Sequence, residues 1–324
     1  MAKALSPDKG SSGLPHLDDF LLNLQTNNYS EETIYNYERD LKVFEQFLTD
    51  SHIPFPRVDK MAINRYKAYL NSVDRKTAGE QASHQKLKSL SLNRQLSSLR
   101  SFLKYLVEND LPNPIAPDAV KLVRTERKHP QVAELREIVS LVESPSSLES
   151  NKVVAARNRA MLEMLFSTGM RISELINLNR QQIDHSGKIF IRGKGKKERF
   201  VYLTDRAFRH LNDYLRLRTD NLSALFIPYR GRNSNDFAGL KKRISTNYLQ
   251  AKIKQYREKL KINIPISAHS LRHGFATYLA EEGANPAAIQ TLLGHESLST
   301  TTRYVNTSDR YAEKTHHDFH PLKK

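Results

Sequence analysis

The sequence predicts a mainly α-helical chain with a small β-sheet, divided into two domains. Three observations predict it. Apolar residues recur at helical spacing through most of the first half, a proline cluster followed by a basic stretch interrupts the pattern, and the second half mixes helical segments with one pair of β-rich runs. A chain of 324 residues is long enough to bury two separate cores.

Residues 1–13 read as a flexible arm, because they lack the apolar stretch of a signal peptide. Residues 17–24 then show helical spacing. Ser30-Glu31-Glu32-Thr33 supplies a capping serine with early acids, and the helix it opens carries Ile34, Tyr37, Leu41, Phe44 and Leu48 along one face. Pro54 and Pro56 end that segment, and a third helix is expected over residues 58–70. A polar loop with a basic run leads to a fourth helix over residues 91–108. Its core side carries Leu92, Leu96, Leu99, Phe102, Leu103 and Leu106, and Arg94, Arg100 and Lys104 read as a solvated face. Pro112, Pro114 and Pro117 break the pattern, and the basic run that follows makes residues 112–130 an interdomain linker. The domains are therefore read as 14–111 and 131–324.

In the second half, helices are expected over residues 131–142 and 153–166, the latter closed by Gly169, and from 171 to 178. The β-rich runs 188–192 and 198–203 flank Gly193-Lys194-Gly195-Lys196-Lys197, which predicts a hairpin with a basic, glycine-rich tip. Further helices are expected over 205–218, 244–260 and 270–282. Asn285-Pro286 opens a last one over 287–293 that Gly294 closes.

Lys and Arg exceed Asp and Glu by 16, which favours a polyanionic partner, nucleic acid or an anionic membrane surface. No apolar run approaches the roughly 18 residues of a spanning helix, which weighs against the membrane. Cysteine is absent, so disulfides, thiolate metal sites and cysteine nucleophiles are excluded, in keeping with a cytoplasmic address.

The chemistry concentrates in five places. Arg171 and Arg272 are always-charged donors that can fork onto the non-bridging oxygens of a phosphate. His269 precedes Arg272 by one helical turn, so both can address one pocket. His295 follows a helix-stopping glycine, and taken alone it is as well explained as a cap. Tyr304, nine positions further on, is one of 14 tyrosines and gains meaning only from its spacing. Lys194 at the hairpin tip is a candidate general acid, set against the simpler reading of a hairpin contacting backbone. Glu174 lies on the same helical face as Arg171 and either holds that guanidinium or forms an ordinary exposed pair. His269 and His273 have metal-pair spacing, but no following Glu and no third ligand are evident, and His316, His317 and His320 read as a solvated tail. Together the set suggests a DNA-breaking enzyme that links itself to a phosphate through Tyr304.

The ordered set Arg, Lys, His-x-x-Arg, His, Tyr resembles the tyrosine recombinases, or phage integrase family. The resemblance is carried by Thr168-Gly169-Met170-Arg171-Ile172-Ser173-Glu174-Leu175, Gly193-Lys194-Gly195-Lys196-Lys197-Glu198-Arg199, His269-Ser270-Leu271-Arg272-His273-Gly274, Leu292-Leu293-Gly294-His295 and Thr301-Thr302-Arg303-Tyr304. Within the family the chain looks most like the Xer type, which resolves chromosome or plasmid dimers. Asn306, Ala268 and the extra N-terminal arm depart from that type without removing a catalytic group. The resemblance implies a helical core-binding, SAM-like domain that clamps DNA, a basic linker, and an α+β catalytic domain with an inter-subunit tail. It implies attack by Tyr304 to leave a 3′-phosphotyrosine, with Arg171 and Arg272 holding the phosphate. His269 would be the general base, Lys194 the acid, and His295 a hydrogen-bond donor. No cofactor and no metal are implied. The implied partners are double-stranded DNA with an inverted-repeat site, further subunits in a homotetramer or a heterotetramer with a paralogue, and an activating translocase. A mobile-element integrase of the same family, a type IB topoisomerase and a catalytically silent DNA-binding protein are the alternatives.

Overall fold

The computed structural model describes residues 13–73, 75–76, 86–125, 133–192, 198–229 and 242–294. The chain separates into two compact units, residues 1–128 and 129–324.

In the first unit, α1 (Leu17–Thr26), α2 (Glu31–Asp50), α3 (Lys60–Leu70) and α4 (Ser89–Glu108) surround one apolar core. Ser30 caps α2 by accepting from the Thr33 backbone N–H at 3.2 Å, and Asp59 caps α3 by accepting from the Ala62 N–H at 2.7 Å. Phe20 meets Phe102 edge-on at 5.5 Å between ring centroids, and Phe44 meets Tyr66 at 4.8 Å. The face of α4 predicted to be solvated is solvent-facing, with Arg94 41%, Arg100 39% and Lys104 69% exposed, and its charges find partners there. Arg94 bonds the buried carboxylate of Asp40, while Arg100 and Lys104 pair with Asp118 and Glu108. The predicted linker begins as part of this core. Val120 is fully buried, and the Asn93 side chain clasps the Val123 backbone with bonds of 2.8 and 2.9 Å.

The second unit is built around α7 (Lys152–Thr168), whose buried positions run round most of its circumference. α5 (Leu135–Glu143), the one-turn α6 (Pro145–Leu148), α8 (Ile172–Asn177), α9 (Asp205–Arg216) and α11 (Ala268–Glu281) pack on it. α10 (Thr246–Lys259) contacts α5 and α8, and α12 (Pro286–Leu293) packs on α11. The antiparallel hairpin of β1 (Lys188–Arg192) and β2 (Glu198–Tyr202) pairs Lys188 with Tyr202 and Arg192 with Glu198. Ile189, Ile191 and Val201 point into the core, whereas Phe190, Phe200 and Tyr202 are exposed.

One helix start differs from expectation in a way that matters for the site. Ser267 caps α11 by accepting from the Ser270 N–H at 3.1 Å, so the helix begins at Ala268, two residues before the expected start. His269 and Arg272 therefore both lie within α11, one turn apart. Among the described residues no helix is long and apolar enough to cross a membrane.

Candidate active site

The site starts where α7 stops. Gly169 closes that helix at φ +62°, and a Cβ there would lie 2.3 Å from the Phe275 ring, so both the conformation and the close approach require glycine. Two residues later Arg171 occupies the N-cap position of α8. Glu174 reaches back to it, accepting from the Arg171 backbone N–H at 2.7 Å and from its Nη1 at 3.0 Å. The carboxylate thus satisfies an orphan donor at the helix start while steadying the side chain beside it. The Arg171 side chain remains 39% exposed, whereas Glu174 is only 7% exposed.

Glu174 also receives a second arginine. Arg199 on β2 donates Nη1 to Oε1 at 3.0 Å and Nη2 to Oε2 at 2.7 Å, a two-pronged pair in which both side chains are 7% exposed. Burial raises the Glu174 carboxyl, but the Arg199 hydrogen bonds, the Arg171 N–H and the two positive charges outweigh it. The net result lies below the ordinary carboxylate value of 4.5. Glu174 is therefore an ionised, buried anchor and not an exposed helix pair.

Arg272 comes from the other side. It is buried, donating Nη1 to the Gly169 carbonyl at 2.8 Å and Nη2 to the Leu293 carbonyl at 2.7 Å. These bonds tie α11 to the loop carrying Arg171 and to the end of α12. Gly294 caps α12 at φ +65°, directly before His295. His269 is exposed on the first turn of α11, on the same helix as Arg272. His273, one turn further, contacts the Thr277 hydroxyl at 3.3 Å. Burial pushes its imidazole below the usual value, outweighing a backbone hydrogen bond that favours the protonated form.

Of the residues selected from sequence, Arg171 and Glu174 bond each other, Arg272 bonds the Gly169 carbonyl two residues before Arg171, and His269 lies one turn before Arg272 on α11. Lys194, His295 and Tyr304 lie outside the described residues, as do His316, His317 and His320. Arg199 follows the glycine-rich hairpin tip in sequence, and no role is expected for it from residue type alone. The signal for it was strand alternation, which puts Arg199 in phase with inward-facing Val201. That signal was blurred because Phe200 and Tyr202, on the opposite face, are apolar too.

Comparison with known proteins agrees with this architecture. The phage integrase family model matches residues 131–310, and that of the phage integrase N-terminal SAM-like domain matches residues 17–110. The chain belongs to the phage integrase family, the tyrosine recombinases, enzymes that cut and rejoin DNA strands. It is 34% identical over 305 residues to tyrosine recombinase XerD of Staphylococcus epidermidis, covering 90% of this chain and 93% of that protein. XerD of Staphylococcus aureus is 31% identical over 302 residues, with 90% and 93% covered. Among solved structures, XerH site-specific recombinase bound to a palindromic difH substrate in a post-cleavage complex superposes with a TM-score of 0.70. It is 21% identical, with 94% of this chain and 84% of that chain covered. A lambda integrase dimer bound to a COC' core site gives 0.66 at 16% identity, covering 91% and 76%. These two structures share the fold.

Proposed function

We propose that this chain is an Xer-type recombinase that resolves chromosome or plasmid dimers by cutting double-stranded DNA at inverted-repeat sites. The observation that carries the chemistry is the bond from buried Arg272 to the Gly169 carbonyl, two residues before Arg171, whose guanidinium Glu174 holds. In this reading the Tyr304 phenolic oxygen bonds to phosphorus, and the bond from phosphorus to the 5′ oxygen breaks. His269 takes the phenolic proton, and Lys194 gives one to the departing oxygen. Arg171 and Arg272 stabilise charge on the non-bridging oxygens, and His295 adds a hydrogen bond. One phosphate ester replaces another, so rejoining is the same exchange in reverse, with a 5′ hydroxyl attacking the phosphotyrosine. The preorganised guanidiniums suit this step because donors locked in place need no reorganisation as charge develops.

The first unit supports a DNA-clamping role. A 610 Å³ concavity between α2 and α4 is lined by Arg39, Lys42, Arg75 and Arg94, with Glu38 among them. Residues 1–13 would act as an arm, 14–111 as the clamp, 112–130 as the linker and 131–324 as the catalytic domain, its tail docking on a neighbouring subunit. Four protomers, identical or shared with a paralogue, would assemble on two DNA sites. The setting would be the nucleoid in the cytoplasm, with a translocase as activator.

The test is a nicked suicide substrate bearing an inverted-repeat site from the replication terminus of the source genome, incubated with EDTA. Wild-type protein is expected to form a covalent adduct that survives denaturing electrophoresis. Tyr304→Phe is expected to bind the same DNA and form none. An adduct with Tyr304→Phe would remove the proposed nucleophile.

A further inference from the structure

We propose that Arg199 is a positioning residue for strand cleavage, holding Glu174, and through it Arg171, in register with the end of α12 that leads to His295. The proposal rests on the reading of Arg171 as a phosphate ligand and Tyr304 as nucleophile.

Arg199 does not face substrate. Its side chain is 7% exposed and all three of its nitrogens point to protein partners. Nη1 and Nη2 hold the two oxygens of Glu174, and Nε donates to the Leu292 carbonyl at 2.8 Å. β2, α8 and α12 therefore meet at one guanidinium. The last carbonyls of a helix lack intrahelical partners. At the end of α12 two neighbouring ones are taken by different arginines, Leu292 by Arg199 and Leu293 by Arg272. The chain then passes so close that a Cβ on Gly294 would sit 3.0 Å from Arg199 Cδ and 3.1 Å from Nη1. A planar fork can span a carboxylate and a carbonyl together, whereas an ammonium is a single point of charge.

Loss of this fork has a directed consequence. Glu174 keeps its buried position but loses the two Arg199 bonds, leaving the Arg171 side chain and backbone N–H on it. The carboxylate then competes with the DNA phosphate for the Arg171 guanidinium, and the exit of α12 loses one anchor. The chemical step should suffer more than DNA affinity, because misplacement of about 1 Å can cost roughly a hundredfold in rate.

The experiment measures single-turnover covalent-complex formation at saturating DNA, with DNA dissociation constants and thermal melting in parallel. It uses full-length wild type, Arg199→Gln, Arg199→Lys, Glu174→Gln and the Arg199→Gln/Glu174→Gln double variant. Arg199→Gln is expected to cleave about a hundredfold more slowly while binding DNA within about threefold of wild type, and Arg199→Lys to fall between them. The double variant is expected to be within about threefold of the slower single variant, since both lesions cut one link. Wild-type cleavage by Arg199→Lys or Arg199→Gln, multiplying losses in the double variant, or a loss that tracks DNA affinity would overturn the proposal. If Arg199→Gln fails to fold, Arg199→Lys decides, because it retains the charge and lacks the fork. Arg171→Ala and Tyr304→Phe serve as separate controls. Normal cleavage by either would sink the underlying reading of the site, not the role of Arg199.

Discussion

Each unit buries a carboxylate against an arginine, and the two pairs are built differently. Asp40 in α2 is 1% exposed and its Oδ2 accepts from Arg94 and from the Ser98 hydroxyl. Its Oδ1 is buried without a hydrogen-bond partner among the described residues. Burial prevails there over Ser98 and Arg94, and the carboxyl is pushed above its ordinary 3.8. Glu174 is similarly deep, yet both of its oxygens are occupied and two guanidiniums share it, so its carboxyl is held below the ordinary range. Depth alone does not decide the charge of a buried acid. The number and charge of the donors aimed at it do. In the first unit the pair ties α2 to α4 as a structural clasp. In the second it holds Arg171 at the start of α8, the arginine proposed as a phosphate ligand.

The sharpest way to break this comparison is to delete the busier carboxylate. Glu174→Ala leaves Arg199 buried beside an empty site, and removing one partner of a buried pair costs about 3–5 kcal/mol. Urea unfolding of the full chain should show that loss, and a change under 1 kcal/mol would mean that the pair is better hydrated than its burial implies. Asp40→Asn should do far less. Its charged form is already disfavoured, and an amide oxygen can still accept from Arg94, so stability at pH 7 should move by about 1 kcal/mol or less, in either direction. A loss as large as that of Glu174→Ala would erase the distinction between the two sites.

The smallest effect is a difference in sign with pH. The Glu174 carboxyl is depressed in the folded state, so its contribution is present above the unfolded value of 4.5 and is lost as pH falls through the folded value. The Asp40 carboxyl is raised, so the folded state binds its proton more tightly. Its contribution is most favourable below the unfolded value of 3.8 and declines as pH rises through the folded value. Melting curves from acid to neutral pH should therefore show the advantage of wild type over Glu174→Gln shrinking toward acid. The balance between wild type and Asp40→Asn should shift the other way. Parallel trends would refute the contrast.

Much of the helical framework was legible because its signals are local. Ser30 before two glutamates, the Leu41–Phe44–Leu48 face, Gly169 and Gly294 as stops, and Asn285-Pro286 as a start each act within a turn or two. α11 starts two residues before the expected residue 270, because Ser267 caps it by accepting from the Ser270 N–H. Asp40 carries no burial signal in the sequence, because it sits on the face of Tyr37 and Phe44 without being apolar. Arg199 was missed for the related reason that a charge on an inward strand position announces itself only when the strand's other face is polar.

By itself, then, the sequence determined the order of helices and strands, their caps, the net positive charge and the family, since all of these are written in neighbouring residues. Which groups meet was left to the tertiary structure. Arg272 finds the Gly169 carbonyl across 103 positions, Arg199 finds Leu292 across 93, and Glu174 divides itself between two arginines. Those choices depend on closure of the core around α7, where buried donors must take whichever acceptors the packed backbone brings within reach.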